Sequence, residues 1–120
     1  MRYFNYHEFD CPLEGKGSGE RMMDDTFLDM LDRARAIAGI PFVVTSGYRC
    51  EAQNRAVGGV KDSAHMKGLA ADIRCRNSRE RAYIVGALID AGFHRIGLGD
   101  GFVHCDCDET KDEDVIWLYS

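Results

Sequence analysis

Apolar residues recur at helical spacing between Asp24 and Gly39, and they predict the first long helix of the chain. They are Phe27, Leu28, Leu31, Ala34 and Ala38. Charged residues lie on the other side, which is typical of a helix that packs one face on a core. Asp24 or Asp25 is suited to cap the N-terminus of this helix, and Gly39 is suited to end it.

The pattern in the rest of the chain predicts short alternating elements, separated by glycine, proline and other turn residues. In chain order they are a buried strand at 42–45, a short helix at 51–57, a loop at 60–67, a strand at 69–73, a helix capped by Ser78 and ended by Gly92, and hairpin strands near 94–98 and 102–107. The apolar end at 115–119 is either a closing strand or a packed tail. The aromatic N-terminal segment at 1–13 is expected to pack on the same domain.

Strand alternation indicates which side chains share a face of the predicted sheet. In the strand that begins at Leu69, Asp72 points away from the apolar side. In the last hairpin strand, His104 points one way while Cys105 and Cys107 point the other. If the apolar faces pack on the helices, Asp72 and His104 emerge together on the open face and the two thiols turn inward.

His65 is a potential third partner for Asp72 and His104. On one helix, the seven residues from His65 to Asp72 would span ~10.5 Å, which is too far for one small cation. Gly68 allows the chain to change form between them, so that His65 lies in a loop and Asp72 on a strand. Two histidines and one carboxylate, with a fourth position open to water, are a ligand set of catalytic zinc sites.

Composition narrows the class of protein. The chain has 120 residues, enough for a single domain over 1–120 with one core. Its formal net charge of -5 argues against a general nucleic-acid or anionic-membrane binder, since both need a basic face. No apolar run approaches the ~20 residues of a membrane span, and the first residues lack a signal-like apolar core. We therefore expect the chain to be kept in the cytoplasm unless another route releases it.

Two further groups of residues favour plain structural interpretations. Five cysteines, an odd number without a Cys-x-x-Cys pair, indicate free thiols in a reducing compartment. The acidic residues of 106–114 are expected to form a solvated face, with a calcium site as the weaker alternative.

Three separate motifs resemble the M15 family of zinc peptidases. Residues 63–72 read Ser-Ala-His-Met-Lys-Gly-Leu-Ala-Ala-Asp and match its Ser-x-His-x-x-Gly-x-Ala-x-Asp signature. Residues 46–49 match its Ser-Gly-Tyr-Arg element, and residues 102–106 match its Phe-Val-His-x-Asp element. The family includes D-Ala-D-Ala carboxypeptidases and the L-alanyl-D-glutamate endolysins of bacteriophages. Order and spacing agree over residues 42–106, which is most of the chain.

The resemblance implies a fold and a set of site residues. It implies the α+β fold of the Hedgehog/DD-peptidase type, a small antiparallel sheet with helices packed on one face. It implies Zn²⁺ bound by His65, Asp72 and His104. It also implies that Arg49 binds a carboxylate of the substrate, a role that suits a guanidinium, although a surface salt bridge is the alternative. Ser63 would help to hold the site or the substrate.

The catalytic base is the point at which the chain departs from the family pattern. Family members commonly carry an acid three residues before the last histidine ligand, and Gly101 stands there. Asp100 is one residue further upstream in a glycine-flanked turn, and we expect it to be the base, although aspartate also simply favours turns. Asp106 is the second candidate, and it is equally suited to orient a metal ligand.

The expected activity is hydrolysis of peptide bonds in peptidoglycan stem peptides by a monomeric zinc peptidase, as a carboxypeptidase or an endopeptidase. An endolysin encoded by a phage or prophage would fit, acting on the cell wall after release. The alternative is a zinc-containing module that binds wall peptide or protein without cutting it, because Hedgehog signalling domains retain this fold and metal with little or no peptidase activity.

Overall fold

The computed structural model describes residues 1–119 as five strands in one sheet with helices against it. The strands are β1 (Val44–Ser46), β2 (Ala70–Arg74), β3 (Arg95–Gly99), β4 (Phe102–Asp106) and β5 (Val115–Leu118). The helices are α1 (Ser18–Met22), α2 (Asp25–Ala38), α3 (Glu51–Ala56) and α4 (Ser78–Asp90), with short 3₁₀ helices at Tyr6–Phe9 and Ala64–Lys67.

The sheet has the strand order β1-β2-β4-β3-β5. Its first four strands pair antiparallel, and the α+β fold class expected from the sequence is confirmed. Of the two alternatives for the apolar end at 115–119, a closing strand and a packed tail, the structure shows the strand. It pairs parallel to β3, with Gly97 opposite Trp117, so the sheet is mixed rather than wholly antiparallel.

The core lies between one face of the sheet and the pair of long helices. Helices α2 and α4 pack on each other, and their apolar side chains join those of the central strands in one buried cluster. Its largest fully buried members include Phe27, Leu28, Leu31, Ile73, Ile84, Leu88, Ile96 and Val103. Burial of this apolar face is the main force that orders the sheet, at about 25 cal/mol per Å² removed from water.

Two predicted elements differ in detail from the observed ones. The strand expected to be buried at 42–45 is β1, an edge strand, and only Phe42 is buried while Val43 is 40% exposed. Helix α4 is capped by Asn77 rather than Ser78, because the Asn77 side chain accepts a hydrogen bond from Glu80 N at 2.9 Å. Asparagine and serine are equally good caps, so sequence alone does not choose between them.

Both ends of α2 follow the sequence closely. Asp24 caps α2 by accepting from Phe27 N at 2.8 Å, and Gly39 ends it with a positive φ of 69°. None of the helices in residues 1–119 is long and apolar enough to cross a membrane.

Gly68 is the residue on which the path from the second 3₁₀ helix into β2 depends. Its φ is +71°, and a Cβ there would lie 1.9 Å from the carbonyl oxygen of Met22. Gly68→Ala should therefore lower the free energy of unfolding by about 3 kcal/mol or more, measured by chemical denaturation.

Gly39→Ala is the matched control, because Gly39 also has a positive φ but nothing lies within 4 Å of its added Cβ. Its cost should be only about 1 kcal/mol, the strain of the left-handed backbone alone. Equal costs for the two variants would contradict the close contact at Gly68.

Candidate metal centre

Asp72 and His104 are direct register partners in the middle of the sheet, as strand alternation predicts. Asp72 lies on β2 and His104 on β4, and the two residues face each other across the antiparallel pair. Facing residues in such a pair have their Cβ atoms about 4.5–5.5 Å apart. Both are buried, with exposed fractions of 7% and 6%.

His65 reaches the same place from the second 3₁₀ helix. Its predicted loop is in fact this single turn, in which the Ser63 hydroxyl accepts a hydrogen bond from His65 N at 3.2 Å. Gly68 ends the turn in the left-handed conformation and leads the chain directly into β2. The seven-residue spacing from His65 to Asp72 is thus bridged by a change from helix to strand, as the sequence indicates.

The three side chains converge on one point. His65 Nε2 lies 3.2 Å from Asp72 Oδ1, and His104 Nδ1 lies 2.9 Å from the same oxygen. One ligand atom from each of the three residues lies within 4.8 Å of the others. Ligands about 2.0–2.1 Å from a tetrahedral ion lie about 3.3 Å from one another, so these separations fit one small metal ion.

The remaining histidine nitrogens fix which atoms face the metal. His65 Nδ1 lies 2.7 Å from the carbonyl oxygen of Gly47, which can only accept, so Nδ1 carries a proton and Nε2, which faces Asp72, is the nitrogen that can bind a metal. His104 Nε2 lies 2.7 Å from Asp106 Oδ2, so the ring donates there and leaves Nδ1 for the metal. Such outer partners are typical of metal-binding histidines, and the donor set therefore fits a zinc-type ion.

Asp106 is fully engaged in holding other groups. Besides His104, it accepts from Arg95 Nε at 2.7 Å and from Asp108 N at 3.1 Å. With both oxygens occupied and 2% of the residue exposed, it is arranged to orient His104 rather than to accept a proton from substrate. Its predicted catalytic role stays a prediction, and the geometry favours the alternative role of orienting a ligand.

Burial and hydrogen bonding act in opposite directions on the charged groups of the cluster. Burial alone would raise the pKa of Asp72, but hydrogen bonds with His104 and His65 reverse this and hold the pKa well below its usual value. Burial alone would lower the pKa of His104, but its hydrogen bonds to Asp106 and Asp72 raise it above the usual value. The metal-free cluster thus favours a carboxylate beside a protonated ring.

Arg49 lies against the cluster rather than apart from it. Its guanidinium donates to Asp72 Oδ2 at 3.2 Å, to Ser46 Oγ at 2.9 Å and to Asn54 Oδ1 at a longer 3.4 Å. The side chain is 14% exposed, so part of it faces solvent. Arg49 therefore pairs with the predicted metal-ligand carboxylate, and a contact to substrate stays a prediction.

A cavity of about 550 Å³ opens over the cluster. Its charged, polar and aromatic lining residues are Arg49, Asp62, Ser63, His65, Asp72, Arg95, Phe102, His104, Asp106, Lys111, Trp117 and Tyr119. The predicted site residues Arg49, Ser63 and Asp106 thus share one cavity with the three candidate ligands. This volume is in the usual range for a small-molecule or peptide site.

Asp100 is the predicted site residue that the structure does not bring to the cluster. It lies exposed in the turn between β3 and β4 and does not line the cavity. Three residues lie between Asp100 and His104 along the chain, so the turn is set off from the middle of β4 where His104 lies. Its role as the base stays a prediction, and the geometry offers it no support.

The aromatic wall of the cavity was not predicted from the sequence. The ring centroids of Trp117 and Tyr119 lie 5.5 Å and 6.2 Å from that of His104, and Arg95 stacks on Trp117 with its guanidinium carbon 4.7 Å from the ring centroid. Gly97 makes room for both rings, because a Cβ there would come within 2.6–2.8 Å of them. The sequence signal for this wall is the apolar end at 115–119, which is interpreted from the sequence as a closing strand or a packed tail with no role in the site.

The acidic stretch after β4 is mostly exposed, as expected, and Asp108 is the exception. Asp108 is 1% exposed and pairs with Lys67 Nζ at 2.8 Å and with Lys111 Nζ at 3.5 Å. Thr110 Oγ1 also donates to it, at 2.6 Å. Because Lys67 belongs to the turn that carries His65, this ion pair ties the segment after β4 to the metal-ligand turn.

Removal of one ligand tests the cluster directly. His65→Ala should lower metal affinity by more than the ~10–100-fold typical of lost outer partners, because a ligand itself is removed. Titration with zinc, followed by calorimetry, measures this. His94→Ala is the matched control, since His94 is an exposed histidine paired with Asp114 far from the cluster; equal affinity losses in both variants would contradict the assignment.

Metal affinity should also rise with pH in a defined window. The raised pKa of His104 means that protons compete with the metal at and above the ordinary histidine value of about 6.5. The stability that this proton gives the metal-free protein is complete below that value and is lost as pH rises through the raised pKa. Affinity should rise over that interval and level off above it, with protons released on binding. Calorimetry in buffers of different ionisation enthalpy counts them, and binding independent of pH would contradict the model of competition.

Comparison with known families agrees with these features. The family model described as Peptidase M15 matches residues 2–106, which include all three candidate ligands and the residues that orient them. A comparison with curated protein sequences gives no match. The match spans far more than half of the chain, and we conclude that the protein belongs to the peptidase M15 family.

Proposed function

We propose that this chain is a zinc-dependent peptidase that hydrolyses peptide bonds in the stem peptides of peptidoglycan. Membership of the M15 family establishes peptidase chemistry, and the finer assignment is our own. The observation that supports it most strongly is the convergence of His65 Nε2, Asp72 Oδ1 and His104 Nδ1 beneath an open cavity. A His₂-carboxylate set with an open side is the arrangement of catalytic rather than structural zinc.

The residues of the chain have distinct tasks in this proposal. His65, Asp72 and His104 would hold the ion, which when bound supplies Lewis acidity and lowers the pKa of water. The Gly47 carbonyl and the Asp106 carboxylate keep the two imidazole rings in the required tautomers. This fixed orientation removes the cost of reorganising the ligands during the reaction.

The walls of the cavity suit an anionic peptide with small side chains. Of the three hydrogen bonds of Arg49, the one from Nη1 to Asn54 is the longest, at 3.4 Å, so this nitrogen is the one best placed to turn to a carboxylate of the substrate. Phe102, Trp117 and Tyr119 in the cavity lining offer apolar contact. D-Ala termini and acidic stem residues have this combination of groups, and either a carboxypeptidase or an endopeptidase would use it.

The proposal extends to the setting in which the protein works. Its resemblance to phage endolysins supports a monomer, encoded by a phage or prophage, that acts on the cell wall after release from the cytoplasm.

One observation favours the alternative of a binding module that does not cut. Of the carboxylates that line the cavity, Asp72 and Asp106 are hydrogen-bonded within the cluster. Asp62 is largely exposed and lies near Lys111, at 3.9 Å. The described residues thus contain no buried, unpaired carboxylate beside the candidate ligands that would serve as an evident base.

Digestion of purified peptidoglycan separates these possibilities. The zinc-loaded protein should release products that a chelator abolishes and added zinc restores, as read by mass spectrometry. Terminal D-Ala would identify a carboxypeptidase, and new amine ends within the stem would identify an endopeptidase. Zinc-bound protein that retains stem peptides but cleaves none of several wall types would contradict the enzyme proposal and favour the module.

Substitution of the two candidate carboxylates separates orientation of a ligand from proton transfer. Asp106→Asn should lower metal affinity about 10–100-fold, because the ring of His104 loses its anionic partner. Asp100→Asn should leave metal affinity unchanged, since its side chain lies outside the cavity. The measurement is a zinc titration beside the rate of hydrolysis. Unchanged metal affinity in Asp106→Asn would contradict its orienting role, and loss of hydrolysis in Asp100→Asn at full metal occupancy would identify the turn carboxylate as the base.

A further inference from the structure

Two cysteines from distant parts of the chain lie side by side behind the candidate metal centre. Cys11 and Cys50 are 39 residues apart, yet their Sγ atoms are separated by 3.3 Å. Cys11 is fully buried, whereas Cys50 is half-buried and reachable from solvent. The other three thiols, at Cys75, Cys105 and Cys107, bond instead to two carbonyl oxygens and a methionine sulfur.

The pair joins two segments that already support the site. Cys11 follows the first 3₁₀ helix, and Cys50 directly follows Arg49. Between them, Tyr48 N donates to the carbonyl oxygen of Phe9 at 2.9 Å. Gly47 packs so closely that a Cβ there would lie 2.6 Å from the Phe9 Cα, and its carbonyl is the group that orients the candidate ligand His65. The N-terminal segment therefore packs against residues 47–48, and the carbonyl of Gly47 in turn orients the candidate ligand His65.

The surroundings of the two sulfurs suit thiolate chemistry. Cys50 N donates to Cys11 Sγ at 3.4 Å, and Gln53 N donates to Cys50 Sγ at 3.5 Å. Burial alone would raise the pKa of the Cys11 thiol, but backbone N–H groups of Cys50 and Glu14 outweigh this and lower it. Because the thiolate is the nucleophile in disulfide exchange, Cys11 is suited to attack and the accessible Cys50 is suited to react first with an external reagent.

We propose that Cys11 and Cys50 are a reversible redox pair, oxidised to a disulfide by small-molecule disulfides such as oxidised glutathione. The Cys50 thiolate attacks the reagent, forming a mixed disulfide and expelling one glutathione thiolate. The Cys11 thiolate then attacks the Cys50 sulfur and expels the second. Two protein thiols become one disulfide, the reagent gains the two electrons, and the two glutathione thiolates take up the two protons.

The cross-link would tie the N-terminal segment to the segment between β1 and α3 that carries Arg49. It restricts the unfolded chain, which is the usual way in which a disulfide stabilises a protein. Free thiols match a reducing cytoplasm and a disulfide matches the space outside it. The assignment of the two redox forms to the inside and the outside of the cell rests on the proposed function, but the formation of the cross-link does not.

Oxidation of the full chain tests the proposal without any activity measurement. The reduced, metal-loaded protein is treated with excess oxidised glutathione, then analysed by thiol counting, peptide mass mapping and thermal unfolding without reductant. We expect the five free thiols to fall to three, with the Cys11 and Cys50 peptides joined. The Tm should rise by roughly 10 °C, and dithiothreitol should reverse both changes.

Variants provide the matched comparison. Cys50→Ser should lose both the cross-link and the rise in Tm, whereas Cys107→Ser, at another half-buried cysteine, should keep both. Peptide mapping of the unsubstituted chain identifies the cross-linked cysteines even if a variant folds poorly. Five thiols left after treatment, a lasting glutathione adduct on Cys50 or a disulfide between other cysteines would overturn the proposal. Because none of these readouts involves peptidoglycan, failure here is distinct from failure of the proposed function.

Discussion

The structure depends most on compensation of one buried negative charge, the carboxylate of Asp72. A buried carboxylate is costly unless charged and hydrogen-bonding partners surround it. Here His65, His104 and Arg49 supply those partners from a 3₁₀ turn, a neighbouring strand and the segment that follows β1. The side chains that stabilise the buried carboxylate also form the candidate ligand set for a metal ion. The same contacts therefore serve both the stability of the fold and the proposed chemistry.

The surrounding fold can be understood as support for that group. Gly68 allows the chain to turn from His65 into β2, and Gly97 leaves room for the aromatic rings beside His104. The ion pair of Asp108 with Lys67 fixes the turn from one side. The N-terminal segment fixes it from the other through residues 46–49, where the carbonyl of Gly47 orients His65. The site is therefore held by elements from both ends of the chain.

Local patterns were enough to predict much of the fold and the centre of the site. Alternation with a period of two put Asp72 and His104 on one face, and Gly68 indicated the break that brings His65 to them. Long-range pairing was not predictable in the same way. Trp117 reaches the cavity only because β5 pairs parallel with β3, and no local spacing reports this. The turn position of Asp100 is predictable from its flanking glycines, but its exclusion from the cavity depends on how β3 and β4 lie in the sheet.

The most direct test of the central claim is ¹⁵N NMR of the histidine rings during titration with zinc. The chain has four histidines, so the rings can be followed individually. One equivalent of zinc should bind through Nε2 of His65 and Nδ1 of His104, leaving the opposite nitrogens protonated and the rings of His7 and His94 unchanged. Zinc that binds instead at His7 or His94, or that leaves all four rings unperturbed, would contradict this account of the metal centre.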